Sequence, residues 1–460
     1  MRSFGYPGFI FTSMRRRIRE SRATRAGLVN AFSGVADYIS QPLALLLATP
    51  FLLHRLGPAQ YGLWMITNAA IGSSGLLSTG FSDMALKYAA MHRGRNDWIA
   101  VVRVVQSSIT INLAIGSIMA LLLWTVAPFA GIHVFRLAPE LQTTFVQALR
   151  IGSATLLIRS LDSILVNLLR AYEKYWPAAQ ITISSRAAIV VSAVVLVGLG
   201  RGVVSIMVAT LAIGIMALLA QGYMVSRYVG RVSFIPAWHP EVLAAICPFG
   251  CFSWIQALSG IVFGQSDRLI VGAILGSSAV AYYSVCTQAA QSVHGLAASS
   301  FHFLFPRLST RHATVSSAEL SHSVKHAFLI NVLVVALLCL PMALLSKPIL
   351  SFWIGKPFAA TVWPILSVTA IGFGLVGMNV TAHYTLMALG AIRYVTFVNV
   401  AAGLIMTAIM VVLISHFGLI GAAVGRLVYG PVTWLAYLKV RSLLRPRNRP
   451  PLLEPALTGI

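Results

Sequence analysis

The sequence predicts an all-α membrane protein with about twelve transmembrane helices, in two pseudo-symmetric six-helix bundles around a central cavity. Of its 460 residues, 58% are hydrophobic and only 10% are charged, whereas about a quarter of the residues of a soluble domain carry charge. Apolar runs of membrane-spanning length recur from about residue 27 to residue 440. An internal repeat, described below, predicts the division into two bundles.

The apolar runs divide the chain into spans, since a transmembrane helix needs about 20 such residues. We predict spans at 27–50, 61–84, 102–128, 143–169, 177–199, 203–228, 243–275, 278–304, 324–346, 361–388, 392–415 and 418–440. The intervals between spans are too short for a soluble domain. The predicted parts are a basic tail (1–26), an N-terminal bundle (27–228), a linker (229–242), a C-terminal bundle (243–440) and a second basic tail (441–460).

The charge balance predicts the orientation in the membrane. Lys and Arg number 34 against 11 for Asp and Glu. These cations concentrate in the two tails and in the loops on one side, which is the pattern of cytoplasmic flanking residues. We therefore expect both termini in the cytoplasm and no nucleic-acid partner. The first 26 residues are not expected to be a cleavable signal, since their apolar run, Phe9 to Phe11, is too short. The arginine cluster from Met14 to Arg25 is interpreted as an anchor to anionic lipid.

The repeat appears when the chain is shifted by 219 residues. Leu56-Gly57 then falls on Leu275-Gly276, Tyr175 on Tyr394 and Gly202 on Gly421. Six spans in each half return the chain to its starting side, so the halves are parallel repeats about an axis normal to the membrane. Substrate is expected between the halves, with rocking of one half against the other giving alternating access.

In the first half, turn residues and charges mark the elements. Pro50 and the turn from Arg55 to Pro58 are predicted to end the first span, because Gly and Pro interrupt helices. The fourth span carries Arg159 and Asp162, which share a helix face at a spacing of three and can pair. The fifth span carries Arg186.

In the second half, Asp267 and Arg268 are adjacent and therefore point about 100° apart on a helix. Each needs a partner from elsewhere, and we expect the cleft between the halves to provide it. Gly421 and Gly425 form a small-xxx-small surface, interpreted as close helix packing. The four cysteines are interpreted as space-filling groups rather than a metal site or disulfide; they are Cys247, Cys251, Cys286 and Cys339.

Charges at membrane depth cost several kcal/mol, roughly 3 on insertion scales, so they persist where partners or water meet them. One interpretation is that they pair and lock helices together. The other is a water-filled, net-cationic cleft that holds an anionic group, since guanidinium binds phosphate in bidentate fashion. On this hypothesis the substrate-binding cations are Arg159, Arg186, Arg268 and Arg55. The carboxylates available as charge partners or as sites for a coupling ion are Asp37, Asp162 and Asp267. No catalytic residue, metal site or cofactor is predicted.

Several motifs resemble a known family in their order and spacing. In the first half these are Pro50, the run Leu56-Gly-Pro-Ala-Gln-Tyr-Gly-Leu-Trp64, Gly80 and Lys87-Tyr88-Ala-Ala. In the second half they are Asp267, Leu275-Gly276, Tyr282, Phe305-Pro306, Phe358, Gly390, Tyr394, Asn399 and Gly418-Leu-Ile-Gly-Ala-Ala. Over residues 27–440 the chain resembles the polysaccharide (O-antigen, Wzx-like) flippases of the multidrug/oligosaccharidyl-lipid/polysaccharide (MOP) superfamily. One departure is Ala281, where the family pattern has a glycine before the tyrosine.

The resemblance implies twelve helices in two bundles around a cationic cavity. It implies that the substrate is an undecaprenyl-pyrophosphate-linked oligosaccharide, moved to the outer leaflet of a bacterial inner membrane and driven by ion antiport. Expected partners are this lipid-linked substrate, membrane lipid, and the polysaccharide polymerase with its chain-length machinery. The resemblance does not assign the binding arginines; those named above rest on their depth in this chain.

Two other functions stay open at the level of sequence. An efflux antiporter for cationic drugs has the same fold, although a cationic drug favours carboxylates over a basic cleft. A membrane enzyme of glycan assembly needs acid and base groups at the membrane surface. The longest outer loop offers only His133, Arg136 and Glu140 for that purpose.

Overall fold

The computed structural model describes residues 42–75, 82–230, 233–244, 254, 260, 263–301, 304, 308 and 317–444. Across these ranges the chain is helical and contains no strand. Seven helices found there are long and apolar enough to cross a membrane. The chain is therefore an all-α, multi-pass membrane protein, as predicted. Asp37, Gly80, Cys247, Cys251, Phe305-Pro306, the first basic tail and residues 445–460 of the second fall outside the described residues.

Four helices of the first half follow the predicted spans between 102 and 228 closely, whereas the helix 42–75 contains parts of the first two predicted spans and Ser82–Gly94 lies mostly beyond the second. The helices of this half are α1 (42–75), α2 (Ser82–Gly94), α3 (Trp98–Phe129), α4 (Pro139–Ala171), α5 (Tyr175–Gly198) and α6 (Val203–Tyr228). A short π-helical turn, Ala130–Val134, continues α3. Runs of Val, Ile, Leu and Ala fill these helices, and their exposed apolar faces are suited to lipid rather than to water.

The helices of the second half are shorter because several are interrupted. They are α7 (Ser266–Leu275), α8 (Ser277–Phe301), α9 (Ser317–Leu344), α10 (Ser346–Trp353), α11 (Lys356–Met378), α12 (Val380–Ala388), α13 (Ile392–Leu427), α14 (Tyr429–Thr433) and α15 (Leu435–Leu444). Between α11 and α12, the predicted span 361–388 is interrupted at Asn379. Side chains satisfy the carbonyls at this break: Asn331 donates to those of Gly377 and Met378, at 3.0 Å each.

The predicted turn after Pro50 lies inside α1 and is confirmed by its backbone. Gly57 adopts a φ of 74°, a left-handed conformation that side chains other than glycine rarely take. The Thr49 hydroxyl oxygen lies 3.3 Å from that of Tyr61. A straight helix would hold these residues about 18 Å apart, so α1 is a hairpin of two segments.

A second hairpin lies in α13. Gly418 has φ 58° and ψ −137°, which is not helical. Beyond it the chain folds back, so that Gly421 packs against the Leu413 backbone and Gly425 against that of Met410. The predicted small-xxx-small surface is therefore a close helix–helix contact, and α13 contains parts of two predicted spans.

Left-handed turn residues recur with the spacing of the sequence repeat. Gly57 and Gly276 have φ values of 74° and 84°. Arg136 and Gly355 follow at the same 219-residue spacing, with φ values of 45° and 133°. Backbone geometry thus supports the repeat, while the domain bounds 27–228 and 243–440 stay predictions.

The buried apolar residues form one core shared by the two halves and a further core within each. The shared core joins Leu52, Tyr61 and Phe145 of the first half to Tyr283 and Phe373 of the second. It lies at the end of the molecule that carries the Gly57 and Gly276 turns. Toward the opposite end the cores separate, one formed by α2 to α6 and the other by α8, α9, α12, α13 and α15. Among the described residues, the halves thus share a core at one end and have separate cores toward the other.

The linker between the halves lies along α3. Thr110 donates to the Ala237 carbonyl at 3.0 Å, and the His239 ring lies 3.1 Å from the Gln106 side chain. Arg103 pairs with Glu241 at 3.2 Å.

Cys286 and Cys339 are buried with free thiols, which confirms for these two the space-filling role predicted for the cysteines.

Replacing Gly425 by alanine is expected to destabilise the protein. An added β-carbon would lie 2.7 Å from the Met410 α-carbon, and overpacking of this kind costs about 1–3 kcal/mol. Thermal unfolding in detergent would measure the loss. Gly94→Ala is the matched control, because nothing lies within 4 Å of its added carbon. Equal stability of the two variants would contradict the close packing of the α13 hairpin.

Candidate functional site

Asp267 lies in a buried ion pair at the start of α7. Its carboxylate accepts a hydrogen bond from Arg426 at 2.5 Å and from the Tyr283 hydroxyl at 3.1 Å. The backbone N–H of Arg268 also donates to it, at 2.8 Å. The first turn of a helix favours an acidic side chain, since its free N–H groups point toward it. The two side chains are only 3% and 4% exposed, so this pair is shielded from solvent.

The other contacts of Arg426 account for its burial. Its second terminal nitrogen donates to the Phe263 carbonyl at 3.0 Å. The guanidinium carbon lies 4.3 Å from the centre of the Phe373 ring and 5.1 Å from that of Phe263. Such aromatic faces stabilise a cation, more strongly when it is desolvated. Arg426 therefore holds α13 against the beginning of α7.

The sequence-based expectation about Asp267 was wrong in one respect. We expected its partner to come from the cleft between the halves, but Arg426 belongs to the same half. The two residues are 159 positions apart, and no periodicity links them. Asp267 thus acts as a charge partner in a structural pair that the sequence did not reveal.

Arg268 is placed differently from its neighbour. It is half-buried, its Nε is buried without a hydrogen-bond partner, and within the described residues its guanidinium forms no ion pair. Its positive charge is close enough to the side chains of Tyr61, in the first half, and Tyr283, in the second, to interact with them electrostatically. Arg268 therefore lies at the junction of the halves, and no carboxylate among the described residues is bonded to its guanidinium.

A second group of charges lies on α4 and α5 of the first half. Arg159, Asp162 and Arg186 are close enough to interact electrostatically. Arg159 is exposed although it lies mid-helix, whereas Asp162 and Arg186 are half-buried. Asp162 Oδ1 is buried without a hydrogen-bond partner. The pairing of Arg159 with Asp162 that their spacing allows does not form an ion pair within 4.0 Å in the described structure.

Arg55 is not brought into either group by a described contact. It is exposed on the Gly57 turn, with its guanidinium 5.9 Å from the centre of the Phe51 ring. Arg150 lies over Trp124 at 4.2 Å, a cation–π contact that explains its position without a carboxylate. Asp37 cannot be placed, because it precedes the described residues.

The contacts that join the halves were not predicted. The Thr49 hydroxyl lies 3.5 Å from the Gln288 side-chain oxygen, and the Gln288 amide lies 3.3 Å from the Met65 sulfur. Gly62 packs directly against the Ser277 backbone. Nothing in the sequence identified these partners. The interface thus combines small residues and long polar contacts with the shared apolar core.

Comparisons with known proteins agree on family and fold. A family model described as "Polysaccharide biosynthesis protein" matches residues 52–313. A Shigella flexneri protein named "Putative O-antigen transporter" is 22% identical over 403 residues, covering 85% of this chain and 93% of that protein.

Two solved structures are similar over most of the chain. One is an inward-facing multidrug resistance transporter of the MATE family in the MOP superfamily, with a TM-score of 0.73 and 14% identity, covering 89% of this chain and 98% of that one. The other is the lipid II flippase MurJ in an inward closed conformation, with a TM-score of 0.70 and 15% identity, covering 90% and 87%. At these identities the likeness is one of fold.

Breaking the buried pair should destabilise the protein strongly. Asp267→Asn leaves the Arg426 charge buried and unpaired, which costs about 3–5 kcal/mol. Adding Arg426→Met removes that charge and is expected to restore much of the stability. Melting temperatures of the purified variants in detergent would test this. Glu241→Gln, in the exposed pair with Arg103, is the control, with an expected loss of about 0–1 kcal/mol. A single variant Asp267→Asn as stable as this control would contradict the assignment.

Proposed function

The chain belongs to the polysaccharide biosynthesis family and is a membrane transporter rather than an enzyme, and on this basis we propose that it is a lipid-linked oligosaccharide flippase. The substrate is an undecaprenyl-pyrophosphate-linked glycan, moved from the cytoplasmic to the periplasmic leaflet of a bacterial inner membrane. Both termini are cytoplasmic, as the distribution of Lys and Arg favours. The polysaccharide polymerase and its chain-length machinery would act on the product.

The observation that carries this proposal is the contrast between the arginines. Arg426 is buried and paired with a carboxylate, whereas Arg159 and Arg268, one in each half, have no bonded acid within the described residues. An unpaired cation at membrane depth costs at least about 3 kcal/mol. It is retained where water or an anion meets it, which favours a wet cleft between the halves.

A diphosphate suits these groups chemically. Guanidinium offers parallel N–H donors to two phosphate oxygens and keeps its charge at any physiological pH. Arg186, beside Arg159, supplies a third positive charge. The same cations disfavour the alternative substrate, a cationic drug, because like charges repel.

The packing of the halves supports alternating access. They share a core at the end of the Gly57 turn and have separate cores toward the other end. With cytoplasmic termini, the separated end faces the cytoplasm, where the substrate is made available. Outward opening would then break the contacts of Thr49, Gln288 and Gly62 and close the opposite end.

Ion coupling also belongs to the proposal. Of the three candidate carboxylates, Asp267 is neutralised by Arg426 and Asp37 precedes the described residues. Asp162 Oδ1 is buried and has no hydrogen-bond partner. Asp162 and Asp37 are therefore the candidates for the coupling ion.

Loss of an unpaired arginine should slow transfer without preventing folding. We expect Arg268→Ala and Arg159→Ala each to reduce the transfer rate at least about tenfold, the effect of about 1.4 kcal/mol. Arg268→Lys should fall in between, since Lys keeps the charge but not the bidentate geometry. The assay follows leaflet transfer of labelled lipid-linked sugar in proteoliposomes.

Arg201→Ala is the control for these variants, because this residue is exposed between α5 and α6. Full activity of both Arg268→Ala and Arg268→Lys would remove Arg268 from the mechanism. Covalent change of the labelled lipid by the purified protein would instead point to a membrane enzyme.

A further inference from the structure

Three carboxamide side chains lie at mid-membrane depth where the two halves meet. They are Asn68 on α1, Gln265 at the start of α7 and Gln291 on α8. At 1.5 Å per residue, they lie about 17–23 Å along their helices from the turns at Gly57 and Gly276. The hydrocarbon core is about 30 Å thick. The three residues, here called the carboxamide set, are therefore near the depth at which transporters built from two repeats bind substrate.

Asn68 faces the second half of the molecule. Met65 precedes it by three residues, and its sulfur lies 3.3 Å from the Gln288 amide. Gly72 follows it by four, and a β-carbon added there would lie 3.3 Å from the Gln265 amide nitrogen. Residues three and four apart share a helix face, so Asn68 lies between two contacts with the other half. Its amide donates within α1, but its side-chain oxygen accepts no hydrogen bond from a described residue.

Gln291 projects toward the first half from α8. It follows Gln288 by three residues, so the two side chains lie on the same side of the helix. Gln288 contacts Thr49 and Met65 of the first half. Gln291 is half-buried, and its side chain makes no hydrogen bond to a described residue. An unpartnered carboxamide is costly in hydrocarbon, so this position favours contact with a wet cleft.

Gln265 lies at an irregular position just before α7. Its φ of −133° and ψ of −27° depart from helical values, and its side chain does not cap the helix. Its side-chain oxygen is buried without a hydrogen-bond partner. Arg268 follows three residues later, so the proposed diphosphate-binding cation and this carboxamide lie about one helical turn apart.

Carboxamides have the chemistry that a sugar requires. Each supplies a carbonyl acceptor and two N–H donors, and a sugar hydroxyl both donates and accepts hydrogen bonds. A guanidinium only donates, so it suits phosphate oxygens better than hydroxyl groups. A few placed Asn and Gln side chains commonly orient a ligand and give a site its specificity. A diphosphate bound at Arg268 would bring its attached sugar beside the carboxamide set.

We propose that Asn68, Gln265 and Gln291 form a subsite for the sugar attached directly to the diphosphate headgroup. The inference rests on the proposed function, which supplies the glycosylated substrate. Both halves contribute to this subsite, so the sugar is held at their junction. The alternative role is hydrogen bonding between helices that holds the halves together. That role requires bonds among these side chains, and none is present among the described residues.

Two probes that differ only in the sugar test this proposal. They are farnesyl diphosphate and farnesyl diphosphate carrying N-acetylglucosamine. Titration calorimetry on the purified full-length protein in detergent gives a Kd for each. We expect the wild type to bind the glycosylated probe about tenfold more tightly, the effect of one or two net hydrogen bonds. Asn68→Leu and Gln291→Met should each lose most of this preference while binding farnesyl diphosphate as the wild type does.

Controls separate sugar recognition from other effects. Gln142→Met removes a carboxamide at the outer end of α4, where Gln142 donates to the Leu137 carbonyl at 2.8 Å, and it should leave both affinities unchanged. Arg268→Ala should weaken both probes by the same factor, because both carry the diphosphate. Size-exclusion profiles and melting temperatures verify that each variant is folded.

Failure of the sugar subsite can be told apart from failure of the proposed function. The subsite is overturned, while the flippase proposal stands, if the wild type binds both probes equally. The same holds if either carboxamide variant keeps the full preference or weakens both probes by one factor. If the wild type binds neither probe, the proposed function fails, and the sugar subsite fails with it.

Discussion

The cost of placing charge in a membrane determines how this structure is organised. Each arginine at membrane depth must be met by a carboxylate, an aromatic face, water or a ligand. Arg426 has the first two, from Asp267 and Phe373, and it is buried. Arg150 lies over an aromatic ring. Arg159 and Arg268 have no bonded acid in the described structure, and we propose that this difference separates cations that hold the fold from cations that bind the substrate.

The packing of the two halves supports the proposed wet cleft. Hairpins at Gly57 and Gly418 bring successive helices close together, and the shared core fixes the two halves at one end. Toward the other end each half has its own core. A space can therefore separate the halves there without leaving a cavity inside either core. Two halves with separate cores are suited to rocking about the core that they share, because core packing resists gradual deformation.

Much of this fold could be predicted from the sequence, because the signals that determine it are local. Apolar runs, Gly and Pro turns and the 219-residue spacing all act through neighbouring residues, and they predicted the α1 and α13 hairpins. The contacts of the candidate site were harder to predict, since they join residues that are far apart in the sequence. Thr49 meets Gln288 across 239 positions. The spacing of Arg159 and Asp162 allowed a salt bridge, but spacing fixes the shared face and not the side-chain conformation.

The central claim is that the two halves must part at their shared core for substrate to cross. Cysteines introduced at Thr49 and Gln288, whose side-chain oxygens lie 3.5 Å apart, can be joined by a disulfide or a short bis-thiol reagent. Leaflet transfer in proteoliposomes is then measured before and after cross-linking, with each single cysteine variant as the control. We predict that cross-linking stops transfer and that reducing the disulfide restores it. Transfer at the wild-type rate by fully cross-linked protein would contradict the account.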